Sequence, residues 1–161
     1  MIQHFFDPQT MDIISRLVVA LFLGMIIGME RVWAHKTAGM RTYALVSMGA
    51  ALFVIISDQM IQQYSYFTGM NPLYLVGNIL VGVGFIGTGL IVTRDSKLMG
   101  LTTATGLWVS AGIGMAAGFG MTKLAIIATF MTLFIFVVLW FIEEQIKKSD
   151  YFKADYFEDN N

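Results

Sequence analysis

The sequence has no cysteine, only two histidines and two prolines, and few charged residues. Without cysteine there is no disulfide and no thiol chemistry, and two histidines alone are poor material for a zinc site. Charged residues make up 13% of the 161 residues, whereas soluble domains contain about 25%. The formal net charge of −1 gives no indication of nucleic acid binding. These shortages exclude a disulfide scaffold, a thiol enzyme and a nucleic-acid-binding protein.

Hydrophobic residues, in contrast, make up 57% of the chain, and the mean hydropathy is +0.69. They form five apolar runs, each near the roughly 20 residues that a helix needs to cross a bilayer. The runs cover about 11–30, 40–57, 73–93, 101–119 and 123–142. This pattern predicts an all-α membrane protein with five transmembrane helices in residues 1–145. Residues 146–161 are expected to form a polar cytoplasmic tail.

The lysines and arginines predict the orientation of these spans. Basic residues concentrate in the loop after span one, in the loop after span three and in the tail. Because cytoplasmic loops are enriched in Lys and Arg, this favours an N-terminus outside and a C-terminus in the cytoplasm. Arg16 and Lys123 are the exceptions. Arg16 follows Asp12 by four residues, the spacing of a helical ion pair, and is either an interfacial anchor or a gate.

Small residues recur in the spans and predict close helix packing, because glycine lets neighbouring backbones approach in a membrane. Gly24 and Gly28 form a GxxxG pattern in span one. Span three is the richest in glycine, so we expect it at the centre of the bundle, with the small stripe of span four against it. The candidate packing glycines are Gly24, Gly28, Gly77, Gly82, Gly84, Gly87, Gly89, Gly106 and Gly114.

Two patterns that could suggest an enzyme are rejected. Residues 82–87 satisfy GxGxxG, but a dinucleotide site needs a strand before this pattern and an acidic residue about 20 positions later, and here it lies within a transmembrane run. Ser110 has no candidate base in a span, since His4 and His35 both fall in loops. We therefore expect no catalytic site.

Polar residues at the predicted cytoplasmic end form the candidate site. The candidates for an ion or partner site are Glu30, Arg31, Arg41, Thr42, Asn78, Asp95, Thr102 and Thr103, with Asn78 in the outer half of span three. Glu30 is expected to pair with Arg41, because Arg31 points about 100° away from Glu30 on a helix. The cluster is either an ion-pair network that fixes helix ends or a functional site.

Glu30 and Asp95 are the candidate metal ligands in this cluster. Mg²⁺ prefers six oxygen ligands and keeps several waters, and a pore for it favours rings of carboxylates. The spans contain no acidic residue at mid-depth. One chain is therefore poor material for a divalent channel, although an oligomer would multiply its carboxylates. The glycine-rich surfaces favour self-association, and a dimer is expected.

Four motifs in order resemble those of the MgtC/SapB family of bacterial inner-membrane proteins, over about residues 11–142. They are Gly28-Met29-Glu30-Arg31, Ala38-Gly39-Met40-Arg41-Thr42, the glycine-rich run 82–89, and Gly100-Leu101-Thr102-Thr103-Ala104 with Leu107-Trp108. Longer members of this family add a soluble C-terminal domain, and this chain resembles a short member without it.

This resemblance implies a multi-pass protein of the bacterial cytoplasmic membrane that serves adaptation to low magnesium. Its partner is the lipid bilayer, and it needs no cofactor other than Mg²⁺ as a transported or sensed ion. Many members are described as Mg²⁺ transporters. Others resemble non-transporting regulators that bind another membrane complex, such as the ATP synthase. The family places weight on Glu30, Arg31, Arg41 and the region of Thr102 and Thr103.

Overall fold

The predicted apolar runs are helices in the computed structural model of the protein, which describes residues 7–63, 72–94 and 96–148. The elements are α1 (Pro8–Trp33), α2 (Met40–Gln63), α3 (Pro72–Thr88), β1 (Val92–Arg94), β2 (Lys97–Met99), α4 (Leu101–Gly118), α5 (Thr122–Phe134), a π-helical turn (Ile135–Leu139) and α6 (Trp140–Lys148). The mainly helical fold is therefore confirmed. Asp95 and residues 149–161 of the predicted tail lie outside the described residues.

Helix α1 begins at a recognisable cap. Asp7 accepts a hydrogen bond of 3.0 Å from the Thr10 backbone N–H, and Pro8 opens the helix, where no backbone donor is needed. The hydrogen bonds from Thr10 favour the ionised carboxyl and lower the pKa of Asp7. The sequence after this cap is apolar as far as Trp33 except for a few polar positions.

Three helical stretches in the described residues are long and apolar enough to cross a membrane: Pro8–Trp33, Met40–Gln63 and Thr122–Lys148. The third joins α5, the π-helical turn and α6 into one rod of 27 residues. Tyr74–Thr88 is apolar but shorter, and α4 contains many glycine, alanine and hydroxyl residues. The last rod continues to Lys148, so the predicted boundary between membrane domain and tail at residue 145 falls inside a helix.

Span three ends earlier than predicted, at Thr88 instead of residue 93. The chain then forms a β-hairpin in which Val92 pairs with Met99 and Arg94 with Lys97. Gly100 closes the hairpin with φ of +89°, and a Cβ there would collide with the Leu90 carbonyl. Only glycine fits this position, so Gly100 is what allows the tight junction between the hairpin and α4.

Helix α4 occupies the centre of the bundle and contacts α1, α2, α3 and α5. Its small face is buried, and at Gly114 and Gly118 an added Cβ would meet the backbone of α2 at Ser47 and Ala51. The Ser110 hydroxyl donates 3.2 Å to the Tyr43 carbonyl, also on α2. Helix α4 does contact α3, as predicted, but its small stripe faces α2 and not α3.

Helix α3 lies at the periphery, which corrects the prediction that it is central. A Cβ added at Gly77, Gly82 or Gly84 would meet nothing within 4 Å in this chain. The helix packs instead through Ile79 and Val83, one turn apart on the opposite side from much of its glycine. These branched side chains make more van der Waals contacts with neighbouring helices than glycine does, which favours the face that carries them as the packed one.

Helices that follow each other in the sequence run in opposite directions, and α2 therefore runs parallel to α4. The bundle thus has two distinct ends. At one end Arg16 donates 3.1 Å to the Gly118 carbonyl and pairs with Asp12 at 2.6 Å. Arg16 therefore links the first turns of α1 to the end of α4, as an anchor does, and we call this the Arg16 end. The opposite end, where Arg31, Tyr43 and Thr103 meet, is called the Arg31 end.

Candidate functional site at the Arg31 end

The Arg31 end contains an ion pair between two residues that are adjacent in sequence. Arg31 donates from Nη2 to Glu30 Oε1 at 2.6 Å and from Nε to Glu30 Oε2. Arg31 is only 2% exposed, and the Glu30 side chain is largely buried as well. Both carboxylate oxygens are therefore occupied by one planar guanidinium, the bidentate geometry that arginine favours.

This pairing corrects the expectation that Glu30 would bind Arg41. Neighbouring helix positions do point about 100° apart, but the long arginine side chain bends back and overcomes that angle. Arg31 faces the core and needs a counter-charge there, because an unpaired buried charge is costly. Arg41 is exposed at the start of α2, so water can solvate its charge.

An aromatic ring completes the environment of Arg31. The guanidinium carbon lies 3.6 Å from the centroid of the Phe136 ring, a cation–π contact shielded from solvent. Phe136 belongs to the π-helical turn and is its buried residue. The ring lies against α4, where a Cβ at Gly106 would come 2.7 Å from Phe136 Cζ. Gly106 is thus required for the ring to reach Arg31.

Tyr43 connects the same cluster to the start of α4. Its hydroxyl donates 3.2 Å to the Thr103 carbonyl, and a Cβ at Gly106 would lie 2.5 Å from that hydroxyl oxygen. Tyr43 and Thr103 are both buried. We call Glu30, Arg31, Tyr43, Gly106 and Phe136 the inner cluster, since they bring α1, α2, α4 and the π-helical turn together.

The other predicted site residues lie apart from the inner cluster or at its edge. Thr42 is half-buried, whereas Thr102 is exposed one residue before the buried Thr103. Asn78 is exposed on α3, where it lines an apolar groove of about 520 Å³ between α2 and α3. Asp95 lies outside the described residues. The predicted site residues therefore do not form a single site. Glu30, Arg31 and Thr103 lie close together, whereas Asn78 lies apart from them on α3.

The glycines in the predicted packing set divide in the same way. A Cβ at Gly24 would come 2.6 Å from the Tyr43 carbonyl oxygen, and one at Gly28 would come 2.5 Å from Met40 Cα. Gly106 and Gly114 are equally confined. Gly87 lies at ordinary contact distance from Ala104, and Gly89 lies near the carbonyl of Ile86 in its own turn. Close helix packing thus uses α1, α2 and α4 rather than α3.

The chemistry available to the inner cluster is that of a neutralised charge pair. In the described residues no three His, Cys, Asp or Glu side chains gather as a metal site would require. Both oxygens of Glu30 accept hydrogen bonds from Arg31, so a cation would have to compete with the guanidinium. The cluster is suited to holding α1, α2, α4 and the π-helical turn in a defined arrangement.

Sequence reasoning missed Tyr43 and Phe136, the two aromatic residues of the inner cluster. Both sit in apolar runs where an aromatic side chain is unremarkable. Tyr43 does follow the Arg41-Thr42 motif directly, and this neighbourhood could have drawn attention to it. No local signal marks Phe136, because its contacts are with Arg31 and Gly106, which are far from it in the sequence.

Comparison with known proteins gives a family match and several relatives. The model of the MgtC family matches residues 17–145. YhiD of Escherichia coli K12, whose name proposes magnesium transport, is 38% identical over 150 residues, which cover 89% of this chain and 67% of YhiD. SrpB of Synechococcus elongatus is 41% identical over 127 residues, 73% of this chain and 69% of SrpB.

The protein MgtC of Salmonella typhimurium LT2 is 39% identical over 120 residues. These cover 74% of this chain but only 49% of MgtC, so the chain spans about half the length of that relative. No solved structure gives a significant match.

Proposed function

Since the chain belongs to the MgtC family, we propose that it is a multi-pass protein of a bacterial cytoplasmic membrane that serves magnesium homeostasis. The observation that carries this proposal is the family match over residues 17–145 together with the name of the relative YhiD. Three helical stretches long and apolar enough to cross a bilayer, in the described part of the chain, support the membrane location.

The proposed topology has five crossings, with the Arg16 end outside and the Arg31 end in the cytoplasm. Lys36, Arg41, Lys147 and Lys148 all lie at the Arg31 end, as the positive-inside rule favours. Helix α3 has 17 residues and measures about 26 Å, a little less than the roughly 30 Å hydrocarbon core. A crossing by α3 requires modest local thinning of the bilayer or residues beyond the helix.

Transport of Mg²⁺ is the first candidate activity, with Mg²⁺ as substrate. The residues that would serve it are Glu30 and Asp95, the acids predicted near the cytoplasmic mouth. In such a mechanism Glu30 leaves Arg31 and offers its oxygens to the hydrated ion, and a dimer or larger oligomer multiplies these carboxylates. The exposed glycine face of α3 offers one surface for that self-association.

The second candidate is a regulator that does not transport but binds another membrane complex. The specific observation that favours it is the occupied carboxylate of Glu30, because both of its oxygens accept hydrogen bonds from Arg31. In this reading the inner cluster maintains the shape of the protein, and an exposed surface contacts the partner. Neither candidate involves catalysis.

Reconstitution separates the two candidates. The purified full chain is placed in liposomes that contain a Mg²⁺-sensitive dye, and influx is compared with that of empty liposomes. Transport predicts influx that Glu30→Gln reduces at least tenfold, while Arg41→Gln, an exposed charge at the same end, changes it less than twofold. Influx no greater than that of empty liposomes, from protein that remains helical and monodisperse, contradicts transport.

Growth of cells limited for magnesium then tests the broader proposal. A strain lacking the protein should grow less well in low magnesium, and the wild-type chain should restore growth. Restoration without measurable influx in liposomes supports the regulator. A strain that grows equally well with and without the protein at every magnesium concentration contradicts a role in magnesium homeostasis.

A further inference from the structure

The rod formed by α5 and α6 is interrupted by a single π-helical turn, Ile135–Leu139. Such turns are rare, because their hydrogen bonds and packing are less favourable than those of an α-helix, and they occur mostly as single turns at functional sites. Most residues of this turn are exposed, while Phe136 is 7% exposed. Phe136 is therefore the residue of the turn that packs into the bundle.

Phe136 lies between two rigid groups of other helices. The Arg31 guanidinium covers one face of the ring at 3.6 Å, and Gly106 on α4 leaves just enough room on another side. Arg31 is itself fixed by two hydrogen bonds to Glu30. The position of the ring is thus set by α1 and α4, and not by the helix to which it belongs.

A π-helical turn changes the direction of everything that follows it. It accommodates one more residue than an α-helical turn, and each residue of an α-helix adds about 100° of rotation and 1.5 Å of rise. If the turn relaxed into a continuous α-helix, α6 would rotate by about 100° about its axis. A side chain at a helix radius of about 5 Å would then move by about 8 Å.

We propose that the inner cluster acts as a latch: the stacking of Arg31 on Phe136 holds the π-helical register and thereby fixes which face α6 presents at the Arg31 end of the bundle. Two states of the rod follow. In the latched state Phe136 lies between Arg31 and Gly106, and α6 has the orientation described here. In the released state the ring leaves the cluster, the rod is α-helical throughout, and α6 is rotated.

Helix α6 has faces that differ enough for this rotation to matter. Ile142 and Ile146 are exposed one turn apart and form an apolar stripe. Glu143 pairs with Lys147 at 2.7 Å on the neighbouring face, and Glu144 lies 4.0 Å from Lys148 on the next. Any partner that recognises one of these faces would respond to the state of Glu30 and Arg31, although it touches neither. The proposal goes beyond magnesium homeostasis and does not depend on it.

The test measures the orientation of α6 in the full chain in lipid nanodiscs. The chain has no cysteine, so one spin label at Thr37→Cys, in the loop after α1, and one at Ile142→Cys or Glu144→Cys are the only labels. The two α6 positions lie about 200° apart around the helix. Pulsed electron resonance should show that Phe136→Leu lengthens one distance and shortens the other, by several ångströms and by up to about 8 Å.

The matched control is Phe134→Leu, which shortens an exposed aromatic residue two positions earlier and should change neither distance. A second control deletes Val137, an exposed residue of the turn. The deletion removes the extra residue, so α6 should keep its orientation, and adding Phe136→Leu to it should move neither label.

Unchanged distances in folded Phe136→Leu overturn the proposal, and so does an equal change in the background that lacks Val137. If Phe136→Leu does not give monodisperse protein, Arg31→Lys takes its place, because lysine keeps the charge but has no planar face to stack. Distances that stay unchanged in Arg31→Lys also overturn the latch. None of these readouts involves magnesium, so the outcome is independent of the proposed function.

Discussion

At the scale of single residues, the ion pair of Glu30 and Arg31 illustrates what a sequence can and cannot indicate. The two charged members of the inner cluster were open to prediction, since charged residues near the ends of apolar runs are few, whereas its aromatic members were not. Nor was the partner of Glu30. Helix geometry favoured Arg41 as the partner of Glu30. Arg31 is the partner instead, because it is 2% exposed and a charge shielded from water needs a counter-charge.

Removing one member of this pair should destabilise the protein strongly. Arg31→Met leaves the Glu30 carboxylate buried without a partner, and breaking a buried pair costs about 3–5 kcal/mol. Glu30→Gln should cost a similar amount for the opposite reason. The double variant should cost less than the sum of the two, because no unpaired charge remains. Unfolding in mixed micelles of increasing sodium dodecyl sulfate content measures these differences.

Arg41→Gln is the matched control for the ion pair, since it removes an exposed charge near the same end and should change stability by less than about 0.5 kcal/mol. Additive losses in the double variant, or a cost at Arg41 equal to that at Arg31, would show that the inner cluster does not hold its charges as a pair.

At the scale of helices, the existence of the five apolar rods was predictable from length and hydropathy, but their arrangement was not. The glycine content of span three predicted a central position, yet α4 occupies the centre. Glycine permits close approach and does not enforce it. The deciding contacts are specific pairs, such as Ser110 with the Tyr43 carbonyl and Gly114 with the backbone at Ser47, and no spacing within one span reveals its partner.

Substituting glycines on α4 and α3 should therefore have opposite effects. Gly114→Ala forces a methyl group into the α2 backbone at Ser47 and should destabilise by about 1–3 kcal/mol, as overpacking does. Gly84→Ala meets nothing within 4 Å in this chain, so the better helix propensity of alanine should leave stability equal or raised by up to about 1 kcal/mol. Unfolding in mixed micelles compares the two variants.

A large loss for Gly84→Ala would contradict this ranking unless it disappears at low protein concentration. In that case the loss reports a contact with a second copy of the chain, and not one within the bundle.

At the scale of the whole molecule, the alternation of helix directions was the part of the fold most open to prediction, because consecutive apolar spans joined by short loops run in opposite directions. The structure adds contacts that tie each end together. Arg16 reaches from α1 to the last carbonyls of α4, whereas Tyr43 reaches from α2 to the first turn of α4. These contacts could not be predicted from local sequence patterns, since they join residues 102 and 60 positions apart.

The proposed orientation makes a direct prediction for chemical labelling. Single cysteines at Thr37 and Lys97, both exposed at the Arg31 end, should react with a membrane-impermeant maleimide only after the cytoplasmic side is opened. A cysteine at Met121, exposed at the Arg16 end, should react in intact cells. Reaction of the Lys97 position in intact cells, with intact lipid confirmed by an impermeant dye, would reverse the topology.

The peripheral position of α3 has a consequence for how firmly different parts of the molecule are held. Helices α1, α2 and α4 share buried hydroxyl contacts and confined glycines, whereas α3 meets its neighbours mainly through Ile79 and Val83. Opening free energies differ between such regions. We therefore expect α3 to separate from the bundle at a lower free energy than α1, α2 or α4, with the charge pair on α1 left intact.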